Sequence, residues 1–343
     1  MDIDTGYKHR VGAHCETCVT TGLINHHGGN VTEPLVFGTG SGLNFAHIPF
    51  LKMQGLPLTS FRAPAGSIMR NSLKRLGVQA TIRRFKDQDE AMRALDSELE
   101  KGIPVGLQVG VYWLPFISEV FRIHLNLHNI VVTGRKGTDY LVSDFLCKEI
   151  AVCPAKDLRK ARFSQGEMAP RGKMVSIQKV PARLSLAHAA SAGIRGVCST
   201  MLQPIFPIVG VKAIRYIAGK MERWPSKLGA AESRRNLGNV ILMQEEIGTG
   251  GAGFRYMFAA FLEESAGILK EDKLLRLSSQ MTQTGDKWRA FGAQAARYCK
   301  GRSQDGEGFP SMAALLRECA DEEESIYREL KKITPKIPAG EAA

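Results

Sequence analysis

No stretch of this chain approaches the roughly 18 consecutive apolar residues that a membrane-crossing helix requires. The nearest, MLQPIFPIVGVKAI at 201–214, is short and broken by Pro204 and Pro207, so it reads as a buried turn and helix start. The opening MDIDTGYKHR lacks the apolar core and small-residue cleavage site of a secretory signal, which predicts a cytoplasmic protein. Cysteine is sparse: seven in 343 residues, an odd number without regular spacing, which argues against a disulfide scaffold and for reduced thiols. Dense basic tracts are missing too. The net charge of +12 is scattered over short clusters such as RRF, RKGT, DLRKARF and SRRN, and no strand interleaves aromatic and basic residues, so a nucleic-acid module is not expected. Such a diffuse positive field suits an acidic protein partner or an anionic substrate, and plain solubility accounts for it equally well.

What is present is ordinary globular composition, 44% hydrophobic and 23% charged, in a chain long enough for one large or two ordinary domains. The first half mixes signals. Apolar positions at Cys15, Val19, Leu23 and Ile24 have helical spacing, with Gly28 and Gly29 as a stop. GSIMRNSLKRLG and DEAMRALDSELEKG read as two further helices, the first capped by Ser67 and the second terminated at Gly102. IPVGLQVGVYWLPF (103–116) has the β-branched and aromatic content of a buried strand. LHNIVVTGRKGTDYLVSDF (127–145) reads as a hairpin with Gly134 and Gly137 in its turn. Helices followed by antiparallel strands, without βαβ alternation, predict an α+β fold. Beyond about residue 180 only amphipathic helices are expected, through DEEESIYRELKKI, where Glu324 and Arg328 stand four apart. The predicted organisation is a domain over 1–179, a helical domain over 180–335 and a flexible tail over 336–343.

The stretch GAHCETCVTTGL (12–23) admits several chemistries. Cys15 and Cys18 form a C-x-x-C with histidines nearby, but a structural zinc site needs a second close pair, and Cys147 with Cys153 is too widely spaced. A redox pair requires a preceding strand within a βαβ unit, and the lead-in here is polar and Gly-containing. Small apolar packing on a helix face suits Cys18. Cys15, at the helix start, has the position of a nucleophile, which needs a base oriented by an acid. His128 opens the first strand of the hairpin and Asp144 closes the second, so the fold of the ribbon sets them side by side. His124 and His128, four apart, are expected to share a strand face and invite a metal reading, for which one histidine as base and one as a lining polar residue is the simpler alternative.

Four blocks, HCETCVTTGLINHHG, EPLVFGTGSGLNFAHI, GIPVGLQVGVYWLPF and HLNLHNIVVTGRKGTDYLVSD, together resemble the successive motifs of the BtrH-type family, named for the acyltransferase of butirosin biosynthesis. EEIGTGGAGFRYMFAAFLEES resembles the helical domain that accompanies it. The resemblance implies a papain-like, peptidase C39-like first domain. It also implies acyl transfer from an acyl carrier protein thioester to an amine through a Cys-His-Asp triad, which falls on Cys15, His128 and Asp144. Two positions depart from the pattern: Cys18 replaces a small hydroxyl or apolar residue, and Gly110 stands where relatives often carry an acid.

Further expectations follow. The Cys15 backbone N–H is the first oxyanion donor, with His14 or Gln108 as a candidate second; Gln108 reads equally well as a strand amide bonded to backbone. Tyr112 and Trp113 are candidates to line an acyl channel, against core packing for at least one of them. GTGGAGFR (248–255) spells a dinucleotide-like G-x-G-x-x-G but follows a helical run, VILMQEEI, so a Rossmann site is rejected. Gly250, Gly251 and Arg255 remain candidates for a pantetheine phosphate, against a tight interhelical turn. No bound cofactor or metal is expected. An acyl-phosphopantetheine thioester serves as co-substrate, an acidic acyl carrier protein and a small-molecule acceptor as partners, with no nucleic acid or membrane, and a homodimeric state is left open. A thiol hydrolase or peptidase, or a non-catalytic binding scaffold, is the alternative.

Overall fold

The computed structural model describes residues 2–119, 122–202, 205–247 and 249–338. In chain order the elements are β1 (Ile3–Asp4), α1 (Cys15–His26), α2 (Glu33–Thr39), β2 (Leu43–Met53), β3 (Leu56–Arg62), α3 (Ser67–Leu76), β4 (Gln79–Arg83), α4 (Gln88–Glu100) and β5 (Val105–Val109). There follow β6 (His128–Lys136), β7 (Asp139–Ser143), β8 (Ala151–Cys153), α5 (Ala155–Arg162) and β9 (Met174–Lys179). Helices complete the chain: α6 (Leu186–Leu202), α7 (Gly210–Met221), α8 (Trp224–Ile241), α9 (Arg255–Leu269), α10 (Lys273–Cys299) and α11 (Phe309–Ile333).

Two compact units result. The first joins Met1–Val36 to Leu76–Leu184, the second Phe37–Arg75 to Ser185–Ala343. The first unit is α+β, an antiparallel sheet in the order β4-β9-β5-β6-β7-β8, with β1 alongside β6. Its apolar core gathers Leu95 and Leu99 of α4, Leu107 and Val109 of β5, Ile130 and Val132 of β6, and Leu158 of α5. Burying these side chains stabilises by about 1.5–3 kcal/mol apiece before entropy is counted. α4 starts where Asp87 accepts from the Glu90 N–H at 2.7 Å and ends at Gly102, whose φ of +77° suits glycine. β5 is shorter than the run 103–116 suggested, giving way to a 3₁₀ turn at Val111–Trp113.

The hairpin turn is tighter than the sequence suggested. Gly137 (φ +58°) makes it, while Gly134 lies inside β6 opposite Asp4. A Cβ on Gly134 would come 2.2 Å from the Ile3 carbonyl oxygen, so glycine there admits β1 to the sheet edge. His124 lies ahead of β6, not on a strand face with His128.

The second unit is helical apart from the β2–β3 hairpin, which packs within it although it lies in the first half of the sequence. The cause is aromatic: Phe45 of β2 and Phe61 of β3 meet edge to face at 5.1 Å, and both lie against Trp288 of α10. Beside them Arg255 and Glu323 form a fully buried ion pair. Glu324 and Arg328 pair along α11 as their spacing predicts. Of the tail expected from residue 336, Ile337 offers its carbonyl to His188 Nδ1 at 2.7 Å, and 339–343 lie outside the described residues.

Candidate active site

The first turn of α1 is organised from outside the helix. His14, the N-cap, is extended (φ −147°, ψ 129°) and its side chain caps no N–H. Glu33 does the capping: its carboxylate accepts from the His14 N–H at 2.8 Å, the Ala13 N–H at 3.0 Å and the Thr17 hydroxyl at 2.7 Å. An anion at the positive end of a helix is favourable in its own right. The same Thr17 hydroxyl lies 3.1 Å from the His14 carbonyl oxygen and 3.1 Å from His14 Nδ1, which ties the N-cap residue to the first turn. Cys15 is thereby set at the first helical position. Its N–H belongs to the set an α-helix does not use internally.

Sheet strands deliver the partners. His128 is the first residue of β6 and Asp144 the first after β7; both are buried. Nε2 of His128 bonds Asp144 Oδ2 at 2.6 Å, and the Leu146 N–H holds Asp144 Oδ1 at 3.0 Å. Cys15 is close enough to add to the upward pull on the His128 pKa, and its Sγ lies 3.8 Å from the Leu127 carbonyl oxygen. With Nε2 engaged by the carboxylate, Nδ1 is the ring nitrogen left for the thiol. Burial alone would lower the His128 pKa; the charge and hydrogen bond of Asp144, aided by Cys15, outweigh it and raise it to about 10. Cys15 itself is half-buried.

Asn129, one residue after the base, completes the cluster. Its amide donates to Cys15 Sγ at 3.5 Å and to the Leu127 carbonyl at 3.2 Å. Neither Asn129 nor Glu33 was singled out from the sequence. The only hint was position, since Asn129 adjoins the histidine and Glu33 opens the EPLVF block.

Several other expected roles need correction. Gln108 spends its amide N–H groups on the Asn126 carbonyl at 2.9 Å and the Met168 carbonyl at 3.5 Å, so it is a brace of the 126–168 loops and not an oxyanion donor. The ring of His14 is buried, with Nδ1 engaged by the Thr17 hydroxyl at 3.1 Å. Tyr112 is 42% exposed and stacks on His124 at 4.2 Å, a surface pair and not a channel wall. Arg255 is fully buried, and its guanidinium is held by both Glu323 oxygens, at 2.8 and 3.1 Å, and by the Gly253 carbonyl; it is not open to a phosphate. Gly251 N–H turns inward to the Thr249 hydroxyl, Gly250 has a φ of +63° in the same tight turn, and Gly248 lies outside the described residues. At Gly110 a Cβ would come 2.3 Å from Ser164 Oγ and 2.8 Å from Asn126 Oδ1, so an acidic side chain has no room at this position.

The remaining thiols are poor nucleophiles. Burial, with Glu33 next, pushes Cys18 up to about 12, and burial with the Asp144 charge pushes Cys147 up to about 11. Among the described residues no three His, Cys, Asp or Glu side chains gather as a metal site would require, and no helix is long and apolar enough to cross a membrane.

Residues 14–145 match the family described as butirosin biosynthesis protein H, N-terminal, and residues 156–330 match a domain of unknown function, DUF4872. Among solved structures the chain is similar to one described as a C39-like peptidase from Bacillus anthracis. The identity is 14% and the TM-score 0.39, over 52% of this chain and 98% of that one. No curated protein matches.

Proposed function

The chain belongs to the DUF4872 family and carries ahead of that domain a butirosin biosynthesis protein H N-terminal domain; from this premise we propose that it is a cysteine acyltransferase. The acyl group arrives as a phosphopantetheine thioester on an acyl carrier protein and passes through Cys15 to an amine or hydroxyl acceptor.

The observation that carries the reading is the chain of contacts Cys15–His128–Asp144 at the tip of α1. His128 takes the Cys15 proton, and the resulting imidazolium is stabilised by Asp144. The thiolate attacks the thioester carbonyl. In this reading the developing oxyanion is held by the Cys15 N–H and by the Asn129 Nδ2 hydrogen that rests on Sγ at 3.5 Å, which is released to the oxyanion as the sulfur is acylated. The other Nδ2 hydrogen stays on the Leu127 carbonyl. Collapse breaks the carbon–sulfur bond to the carrier, whose thiolate takes the proton from His128. An acceptor then gives its own proton to His128 as it attacks the acyl-enzyme and frees Cys15. The net charge of +12 favours encounter with an acidic carrier protein.

Incubation with an acyl carrier protein thioester, followed by intact mass spectrometry with and without added amines, tests this. An acyl adduct that passes to an amine is the expected result. Discharge to water alone makes the protein a hydrolase, and the absence of any adduct with every thioester tried overturns the enzyme reading.

A further inference from the structure

A cavity of about 260 Å³ opens within the second unit, walled by the start of β2, by α3 and by α6. Six polar side chains line it: Ser41, Asn44, Ser67, Asn71, Arg75 and Thr200. Ser67, Asn71 and Arg75 succeed one another at intervals of four, which puts them on one face of α3.

The hydrogen-bonding capacity of this wall is lopsided. Ser41 Oγ donates to the Gly193 carbonyl at 3.1 Å, Thr200 Oγ1 to the Gly196 carbonyl at 3.0 Å, and Ser67 Oγ to the Pro64 carbonyl. Asn71 gives an Nδ2 hydrogen to the Gly40 carbonyl at 3.3 Å. A hydroxyl has one hydrogen, so what these hydroxyls have left to offer is lone pairs. Asn44, only 9% exposed, adds a buried carbonyl oxygen that meets no donor. A buried acceptor in that condition is destabilising unless something satisfies it. With the amide N–H groups of Asn44 and Asn71 beside these acceptors, the wall suits a ligand whose groups both donate and accept, as hydroxyls do.

It also calls for one negative charge. Arg75 is the one charged side chain of the lining. Its guanidinium donates to the Thr39 carbonyl and, at 2.7 Å, to Ser41 Oγ, and no carboxylate pairs with it among the described residues. Burial lowers its pKa, the sign of a cation taken from water without a counter-charge.

We propose that this cavity binds a small polyol carrying a single anionic group. Arg75 holds the anion, while Asn44, Ser67 and Thr200 accept hydrogen bonds from the ligand's hydroxyls. The size excludes most drug-sized ligands and cofactors, whose sites run from roughly 300 to 1,000 Å³. A polyamine is excluded by Arg75 and by the lack of any lining carboxylate. The site is independent of the chemistry at Cys15.

Calorimetric titration of the full chain tests the proposal with four probes: glucose 6-phosphate and gluconate as anionic polyols, glucose and inorganic phosphate as their halves. Saturable binding of at least one anionic polyol is expected, with each half about tenfold weaker or worse. Preference for glucose 6-phosphate identifies the anion as phosphate, and preference for gluconate as carboxylate. Arg75→Gln should weaken binding about tenfold or more, the usual loss for a charged hydrogen bond. Thr200→Val, at the exposed rim, should weaken it severalfold and tests the wall even where Arg75→Gln fails to fold. Arg235→Gln, far out on the surface of α8, should leave it unchanged. Inorganic phosphate binding as well as glucose 6-phosphate, no binding of either anionic polyol, or unaltered binding in folded Arg75→Gln or Thr200→Val overturns the proposal.

Discussion

Nε2 of His128 and Oδ2 of Asp144 stand 2.6 Å apart at the open end of the β6–β7 hairpin, both sealed from solvent. A histidine held this way keeps its proton more tightly in the folded chain than in the unfolded one. The bond thus links acid–base behaviour, stability and the readiness of Cys15.

The pH dependence follows from the direction of that shift. The His128 pKa is raised from 6.5 to about 10, with Asp144 as the main raising influence. Its contribution to stability is fully present below about pH 6.5 and is lost as the pH climbs through about 10. Asp144→Asn removes the charge behind it. Urea unfolding should therefore show wild type ahead of the variant at pH 6, with the gap narrowing toward pH 10. A gap independent of pH contradicts the pairing. Acyl transfer by the same variant should fall on the order of 10²–10⁴-fold.

Thiol reactivity should be selective. Iodoacetamide at neutral pH should label Cys15 in the native protein and spare Cys18, whose pKa is pushed up to about 12 and which is buried. Peptide mapping after a short exposure reads this directly. Labelling of Cys18 ahead of Cys15 would reverse the assignment of the nucleophile.

Asn129→Ala should slow acylation of Cys15 about 10²–10³-fold, the range for removal of one oxyanion donor. Thermal stability should change little by comparison, because the residue is a donor to Sγ and to one carbonyl. A single-turnover acylation assay makes the measurement, and an unchanged rate removes Asn129 from the chemistry.

Glu33→Ala strips three donors of their acceptor. A loss of about 1–3 kcal/mol is expected, seen as a lowered melting temperature, together with slower alkylation of Cys15 as the first turn of α1 frays. Glu33→Gln, which keeps the shape and one acceptor oxygen, should fall between. Equal behaviour of all three proteins would show that the carboxylate does not organise the turn.

Arg255→Met should act through folding alone. Removing one partner of a buried ion pair costs about 3–5 kcal/mol, and Glu323 would also keep Trp288 and Tyr327 as its remaining donors. The melting temperature should drop, while the folded fraction keeps its affinity for the thioester substrate. Loss of affinity with stability intact would restore a phosphate-binding role.

Local features were legible where the sequence pattern acts over a few residues. The helix from Cys15 announces itself by apolar spacing and a glycine stop, and the ribbon from His128 by two strand runs around glycine. What escaped depends on distant meetings. Gly134 read as a turn because β1, 131 residues earlier at the Ile3 contact, is too short to signal a strand. Arg255 looked available because its partner lies 68 residues away on α11. Phe45 and Phe61 carry no mark that they will meet Trp288, so the packing of their hairpin against α10 is not legible in the sequence. Asn129 and Glu33 act through a sulfur and two backbone amides that only the folded loops bring within reach.

The most direct test is to locate the acyl group. Wild type and His128→Asn are exposed to the same acyl thioester, quenched in acid and digested, and the peptide spanning residues 12–23 is weighed. The account predicts that wild type carries the acyl mass on Cys15, while His128→Asn gains it at least about 10²-fold more slowly. An adduct on any other residue, or equal rates in the two proteins, contradicts it.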